Sequence, residues 1–307
     1  GELMDGEPSR VALIDLSNGA QYTYAHLETL ICNANVTVQP GERVGLLGSN
    51  SAAFMVIFSA IMRQGGVAVP INSKFPTGTI EHIIRDSELS SIWCDANTRT
   101  SVPGEIPIRE LTLTDATESQ RPAVELSPAQ PGLVLYTSGS TGTPKGVLLS
   151  HDSQWAMVSR MKGPMQGATG IVAAPLYHMN GLLSFWMLLA GGGTVVLMPR
   201  FNAVEYLQAI SDHQVNIITG VPTMLSLMLK EENLIEQLEL DSVAAISVGS
   251  APLSETLIEQ IHRVFRNARI TNGYGTTEAG AGMFARHPDK IPVPPLSLGY
   301  PQPHVEV

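Results

Sequence analysis

Apolar positions recur along this chain with two different periods. Short runs rich in β-branched residues at 11–15, 44–47, 67–70, 92–94, 132–136, 171–174, 194–198, 216–219, 244–248 and 269–271 read as strands. Longer stretches between them carry the 3.6-residue repeat of amphipathic helices. The clearest is 255–265, where Leu257, Ile258, Ile261, Val264 and Phe265 fall on one helical face. Apolar strands separated by helices predict an α/β fold, with layered, largely parallel sheets and helices on both faces. The polar stretch 101–131, punctuated by Pro103, Pro107, Pro122, Pro128 and Pro131, reads as a long surface connection. It would join two similar α/β halves, approximately 1–130 and 131–307.

The two most apolar segments, 51–62 and 182–198, do not read as membrane spans. The first is shorter than the roughly 20 residues a spanning helix needs. The second is broken by Gly191, Gly192 and Gly193, which predicts helix, turn and strand.

Composition narrows the function classes. With 44% apolar and 15% charged residues the chain can bury a substantial core, which excludes a disordered protein. Its 18 Lys and Arg are outnumbered by 28 Asp and Glu, and no basic run occurs, so a nucleic-acid partner is excluded. Cys32 and Cys94 are isolated and read as reduced core thiols. With no charged-then-apolar leader at Gly1, the expected setting is cytoplasmic. A homo-oligomer is compatible with everything in the sequence.

Candidate chemistry concentrates in residues 136–147, Tyr-Thr-Ser-Gly-Ser-Thr-Gly-Thr-Pro-Lys-Gly-Val, which lie between two predicted strands. Gly139 and Gly142 let the backbone turn its N–H groups toward an anion. Thr137, Ser138, Ser140 and Thr141 add hydroxyl donors, and Lys145 adds a positive charge. The set suits a polyphosphate. It is not a Walker A loop: Thr143-Pro144 separates Gly142 from Lys145, Gly146 stands where Ser or Thr is required, and a strand, 147–149, follows in place of a helix.

A second segment, 272–278, reads Asn-Gly-Tyr-Gly-Thr-Thr-Glu and follows a predicted strand. Its glycines would let Tyr274 lie flat on a purine, and Glu278 is a hard oxygen ligand of the kind that holds Mg2+ beside substrate phosphates. His178 lies between a strand end and an apolar helix, a position that suits either a ligand contact or a helix-start hydrogen bond. Gly220 and Val221 precede Pro222 at the start of a predicted helix, 223–230.

Residues 136–147 resemble the phosphate-binding signature of the adenylate-forming superfamily of acyl-CoA synthetases, peptide-synthetase adenylation domains and luciferases. Three further segments follow in that family's order. Residues 175–181, Pro-Leu-Tyr-His-Met-Asn-Gly, resemble its acyl-pocket segment; Gly249, Ser250, Ala251, Pro252 and Leu253 its adenine-side loop; and 272–278 its nucleotide and magnesium segment. The resemblance implies an N-terminal large domain that uses ATP, Mg2+ and coenzyme A to activate a small-molecule carboxylic acid as acyl-AMP before thioester transfer. It implies catalytic roles for Lys145, Thr277 and Glu278, and nucleotide contacts at 137–142, 249–252 and 272–277. It also places the acid at His178, Gly220, Val221, Val248 and Gly273, with His178 on the substrate side and not a general base. Val221, Val248 and Gly273 suggest a floor without a fixed cation, hence an apolar or aromatic acid.

The alternatives are an amino- or aryl-acid domain loading a carrier protein and a non-catalytic nucleotide-binding fragment. Amino-acid activation is disfavoured because 175–181 contains no carboxylate for an ammonium group. Two departures from the family pattern stand out. The stretch around 33–36 is several residues short, and the sequence ends at Val307. Family members continue into an aspartate-bearing ribose segment and a small C-terminal domain, so this chain is expected to bind ATP weakly and to make acyl-CoA inefficiently.

Overall fold

In the computed structural model of the protein, residues 4, 6–113, 123–137, 142–159, 165–285, 287, 289–294, 296–302 and 305–306 are described. Among them two sheets carry the architecture. One has six strands in the order β6 (Ile108–Glu110), β5 (Ser91–Cys94), β3 (Arg43–Leu47), β4 (Val67–Pro70), β7 (Pro131–Thr137) and β8 (Lys145–Ser150). The other has seven: β13 (Arg269–Gly273), β12 (Ala245–Gly249), β11 (Ile217–Gly220), β9 (Thr169–Val172), β10 (Thr194–Leu197), β1 (Val11–Asp15) and β2 (Ala20–Thr23). Every pairing is parallel except those of the edge strands β8 and β2.

The alternation of side chains along each strand sorts them into three cores. On β7, Leu133 and Leu135 face one way while Val134 and Tyr136 face the other; on β10, Val195 and Leu197 oppose Val196. The inward sets of both sheets meet a middle layer of α1 (Tyr24–Asn33), α2 (Ala52–Arg63) and α5 (Met179–Ala190). The outer face of the six-stranded sheet is covered by α3 (Thr77–Asp86), through Ile80 and Ile83. The outer face of the seven-stranded sheet is covered by α6 (Ala203–Asp212), α7 (Pro222–Met228) and α9 (Glu255–Val264). Two further helices, α4 (His151–Val158) and α8 (Glu232–Ile235), complete the helical set described. Both sheets are therefore covered on two faces, which is why their central strands are apolar throughout.

Helix starts follow the local sequence. Thr23, Ser51, Ser150, Asn202 and Ser254 each cap a helix, the side-chain oxygen accepting from an N–H three residues on. The short stretch at 33–36 is closed tightly: α1 ends at Asn33, Val36 is buried, and Gln64 Nε2 donates to the Val36 carbonyl at 2.7 Å. Cys32 and Cys94 are buried free thiols, and no described helix is long and apolar enough to cross a membrane.

Two expectations need correction. The sheets do not divide near residue 130. β1 and β2 add to the seven-stranded sheet beside β10, and β7 and β8 extend the six-stranded one beside β4. The proline-rich stretch is not a boundary between sheets. Nor is 101–131 wholly irregular, because Ile108–Glu110 pairs in parallel with β5 as an edge strand. Pro107 immediately precedes that strand, where its missing N–H costs no ladder bond.

Candidate active site

Four loops leave the C-terminal ends of adjacent parallel strands in the seven-stranded sheet. The segment 175–181 follows β9, 220–223 closes β11, 249–253 closes β12, and 272–278 closes β13. With neighbouring strands ~4.8 Å apart, these loop origins span about 14 Å of sheet edge. The ends of parallel strands are where open α/β sheets bind ligands. Here they border a cleft of about 2040 Å3, larger than the ~300–1,000 Å3 of a single small-ligand site. Residues 48–50 after β3 and 73–74 after β4 line the same cleft, so the C-terminal ends of both sheets open into it.

The lining is electrostatically one-sided. Lys74, Arg200, Arg269 and Lys290 contribute cations, while none of the described lining residues is Asp or Glu, in a chain whose formal charge is −10. Low-dielectric walls bearing one sign of charge concentrate the opposite sign. The cleft suits a polyanion.

On β12 the strand period decides which residues face it: Ala245, Ser247 and Gly249 line the cleft, whereas Ile246 and Val248 point into the outer core. Val248, expected at the substrate, is fully buried behind the strand, one residue out of phase with Ser247 and Gly249. Arg269, one of these cations, lies at the opposite end of β13, about 13 Å from Gly273 at the strand rise.

His178 is the N-cap residue of α5 and lines the cleft, and its side chain makes no capping hydrogen bond. Its ring meets that of Tyr177 at 4.8 Å between centroids. The imidazole has an exposed edge, yet the protein around it removes enough water to lower its pKa below the ordinary 6.5. It is therefore neutral at pH 7. Burial also raises the Tyr177 pKa above 10, so that hydroxyl keeps its proton. Gly181 explains how α5 comes so close to the end of β9: a Cβ there would lie 2.3 Å from the Pro175 carbonyl oxygen and 2.7 Å from that of Ala174.

In the segment expected to hold the nucleotide, Tyr274 is 47% exposed and its ring stands edge-on to Phe284 at 5.9 Å, leaving an aromatic face open. Asn272 Nδ2 donates to the Leu296 carbonyl at 3.0 Å, tying the end of β13 to the segment beyond it. Ser250 adopts a left-handed φ of 64°, uncommon for a residue with a Cβ, in the loop that also holds Gly249, Ala251 and Pro252. Gly275 and Thr276 form β14, which turns through Thr277 and Glu278 to β15 (Gly280–Ala281). A Cβ at Gly280 would lie 2.9 Å from Met157 Sδ, so this hairpin packs on α4, the helix that follows β8.

The phosphate-loop residues Ser138, Gly139, Ser140 and Thr141 lie outside the described residues. Its stems are described. Thr137 pairs with Lys145 at the last rung of the β7–β8 ladder, and Gly142 has a φ of 82° that favours glycine. β7 runs parallel to β4, so Thr137 emerges on the side of the sheet where Lys74 meets the cleft. Lys145 and Glu278 are exposed, and neither they nor Thr137, Gly142, Ala251 and Pro252 are among the described cleft-lining residues. Among the described residues no group of three or more His, Cys, Asp or Glu gathers as a ready metal site.

Sequence reasoning missed two anchors. Asp15, on β1, is buried, and its carboxylate accepts from Ala52 N at 2.7 Å at the start of α2. Asn50 bonds three backbone groups at the ends of β9 and β10. An Asp at a strand end and an Asn just before a Ser cap were visible signals, but their partners lie more than thirty residues away in sequence.

A profile of the AMP-binding enzyme family matches residues 3–307. Feruloyl-CoA synthase from Amycolatopsis sp is 30% identical over 281 residues, covering 86% of this chain and 56% of that protein. 4-Coumarate–CoA ligase 2 from Nicotiana tabacum is 27% identical over 327 residues, covering 92% and 58%. The solved, inhibitor-bound N-terminal domain of FACL13 from Mycobacterium tuberculosis shares the fold, with a TM-score of 0.78 at 24% identity over 92% of this chain and 82% of that one. The chain spans a little over half the length of the curated relatives it matches.

Proposed function

The chain belongs to the AMP-binding enzyme family, and from that premise we propose that it forms the ATP- and acid-binding part of a carboxylate–CoA ligase. The observation that carries this is the cleft itself: four loops from neighbouring strand ends around a space large enough for two substrates, lined by cations and by no described carboxylate. An oxygen of the acid's carboxylate attacks the α-phosphorus of ATP, the bond to the bridging oxygen breaks, and pyrophosphate leaves with the electron pair. A thiol then attacks the acyl carbonyl and AMP departs.

A carboxylate is already a nucleophile at neutral pH, so the protein's task is alignment and charge compensation, not proton removal. Neutral His178 and protonated Tyr177 fit contacts to the acid; neither is placed as a general base. Tyr274 offers a face to the purine, and Lys145 offsets phosphate charge as pyrophosphate departs. A single exposed carboxylate, Glu278, fits the habit of Mg2+, which takes one or two carboxylates plus phosphates and water. Bound there, the ion would neutralise charge on the leaving pyrophosphate.

For the acid, Met179, Leu183, Met187 and Met224 contribute apolar side chains to the cleft lining. Methionines adapt to flat or irregular ligands. That lining supports an apolar or aromatic acid, as does the likeness to relatives named for feruloyl and 4-coumaroyl thioesters. An α-amino acid would need a carboxylate for its ammonium group, and the described lining offers none. The test is pyrophosphate release with ATP and a panel of phenylpropenoic, benzoic, straight-chain, dicarboxylic and amino acids, with CoA or a carrier protein as acceptor. Turnover confined to dicarboxylic or amino acids would overturn the substrate reading; no ATP-dependent release with any acid would overturn the reaction.

A further inference from the structure

We propose that α3 is a positioning element for Lys145, gripping both stems of the β7–β8 hairpin, and that Gly146 is the seat that makes the grip possible. The role given to Lys145 rests on the adenylation reading above; the grip itself does not.

Among the described residues β8 is an edge strand paired with β7 alone, and Thr137–Lys145 is the final rung of that ladder. A last rung on an edge, with an exposed lysine, is where a sheet frays most readily. Two contacts from α3 oppose this. On the β7 stem, Tyr136 is 7% exposed, and its hydroxyl lies 2.5 Å from Asp86 Oδ2 and 2.7 Å from Ser87 Oγ. The carboxylate can only accept, so Tyr136 donates to Asp86 and Ser87 donates to Tyr136. On the β8 stem, His82 Nε2 lies 3.1 Å from the carbonyl oxygen of Pro144, the residue before Lys145. A carbonyl cannot donate, so the imidazole carries a proton on Nε2.

His82 and Asp86 are four residues apart and share one face of α3, while Ile80 and Ile83 hold the helix to the sheet. The helix thus has an apolar attachment and, separately, two polar contacts spent on the hairpin ends. Gly146 lies opposite Tyr136 across the ladder. A Cβ there would come within 3.0 Å of Val134 Cγ1, 3.2 Å of Tyr136 Cζ and 3.3 Å of its hydroxyl oxygen. A methyl group would crowd the ring by a few tenths of an ångström at the very atoms that reach Asp86 and Ser87. The glycine that follows the lysine therefore leaves room for the ring to pack.

The test compares this chain with its Tyr136→Phe, His82→Ala, His82→Gln and Gly146→Ala variants in two readouts. The first is amide exchange at stem residues 137 and 145–146, with strand 44–47 as internal control. The second is MgATP affinity by equilibrium dialysis. Tyr136→Phe, His82→Ala and Gly146→Ala should raise stem exchange with the control unchanged, and should weaken MgATP about three- to tenfold, the worth of one hydrogen bond. His82→Gln keeps an N–H donor and should recover most of both. Unchanged stem exchange in Tyr136→Phe and His82→Ala would overturn the grip. So would equal loss of protection in stem and control, which marks a merely structural role. Looser stems with undiminished MgATP affinity would overturn the positioning of Lys145. If the unaltered chain binds no MgATP, it is the adenylation reading that fails, and the grip is decided by exchange alone.

Discussion

Replacing Asn50 should loosen the acid side of the cleft and cost the protein a measurable part of its stability. The side chain is 5% exposed and links both sheets across the cleft floor. Its Nδ2 donates to the carbonyls of Ala174 at 3.0 Å and Met198 at 3.1 Å, and its Oδ1 accepts from Leu176 N at 2.9 Å. Asn50→Ala deletes three bonds worth ~0.5–1.5 kcal/mol each and leaves their backbone partners with fewer contacts, a loss of about 3 kcal/mol. At ~2.1 cal/mol/K per residue, a 307-residue chain has an unfolding entropy of about 0.64 kcal/mol/K, so the melting midpoint should fall by about 5 °C. Asn50→Asp is the sharper variant. It keeps the acceptor for Leu176 N but turns the donor into an oxygen facing two carbonyl oxygens, so at pH 7 it should be at least as damaging as alanine. Calorimetry gives the midpoint, and amide exchange at Leu176 gives the local effect. Wild-type midpoints in both variants, or an aspartate variant more stable than the alanine one, would refute the assigned bonds.

Three further outcomes are expected. Gly181→Ala places a methyl 2.3 Å from the Pro175 carbonyl oxygen, so α5 must shift away from β9; scanning calorimetry should register a loss of about 1–3 kcal/mol, and the KM for the acid should rise more than that for ATP. Lys145→Ala and Glu278→Gln should each slow pyrophosphate release by about 10²–10³, the glutamine variant also needing more Mg2+. Since no ion pair among the described residues involves either side chain, their melting midpoints should barely move. Burial lowers the pKa of both His151 and His178 below 6.5, so the unfolded chain binds protons more readily in the interval beneath that value. Their contribution is fully present above pH 6.5 and is lost as pH falls through the lowered folded values; His151→Gln should flatten that acid limb in midpoints measured from pH 5 to 8.

Much of the fold is legible because its strands are covered on both faces. Stretches such as 67–70 and 195–198 are apolar at every position, and length with β-branching separates them from helices. The two strands of the main sheets that escape notice escape for a reason. Ala20–Thr23 and Ile108–Glu110 are edge strands of four and three residues, and little of either needs to be apolar. Sheet membership is harder still. Leu13 pairs with Val195, and Ala68 with Leu133, across connections whose length carries no record of which sheet they return to. A division read from proline content therefore does not fall where one sheet ends.

The site divides along the same line. Loops that follow strand ends announce themselves by glycine, proline and hydroxyl residues, and the strand ends that carry His178, Gly220, Gly249 and Asn272 all reach one cleft. What such patterns do not carry is phase and partnership. Val248 and Ser247 are equally plausible lining residues until the pleat is known, and it then turns Ser247 to the cleft and Val248 to the core. Asp15, Asn50, His82 and Asp86 look like ordinary polar residues because their partners, at 52, 174, 144 and 136, come near only in the folded chain. Many of the residues with local signatures line the cleft, and those without one anchor the backbone around it. That asymmetry has a physical origin. A loop must solve its backbone geometry locally with glycine or proline, whereas an anchoring side chain needs only reach and one donor or acceptor, which many sequences could supply.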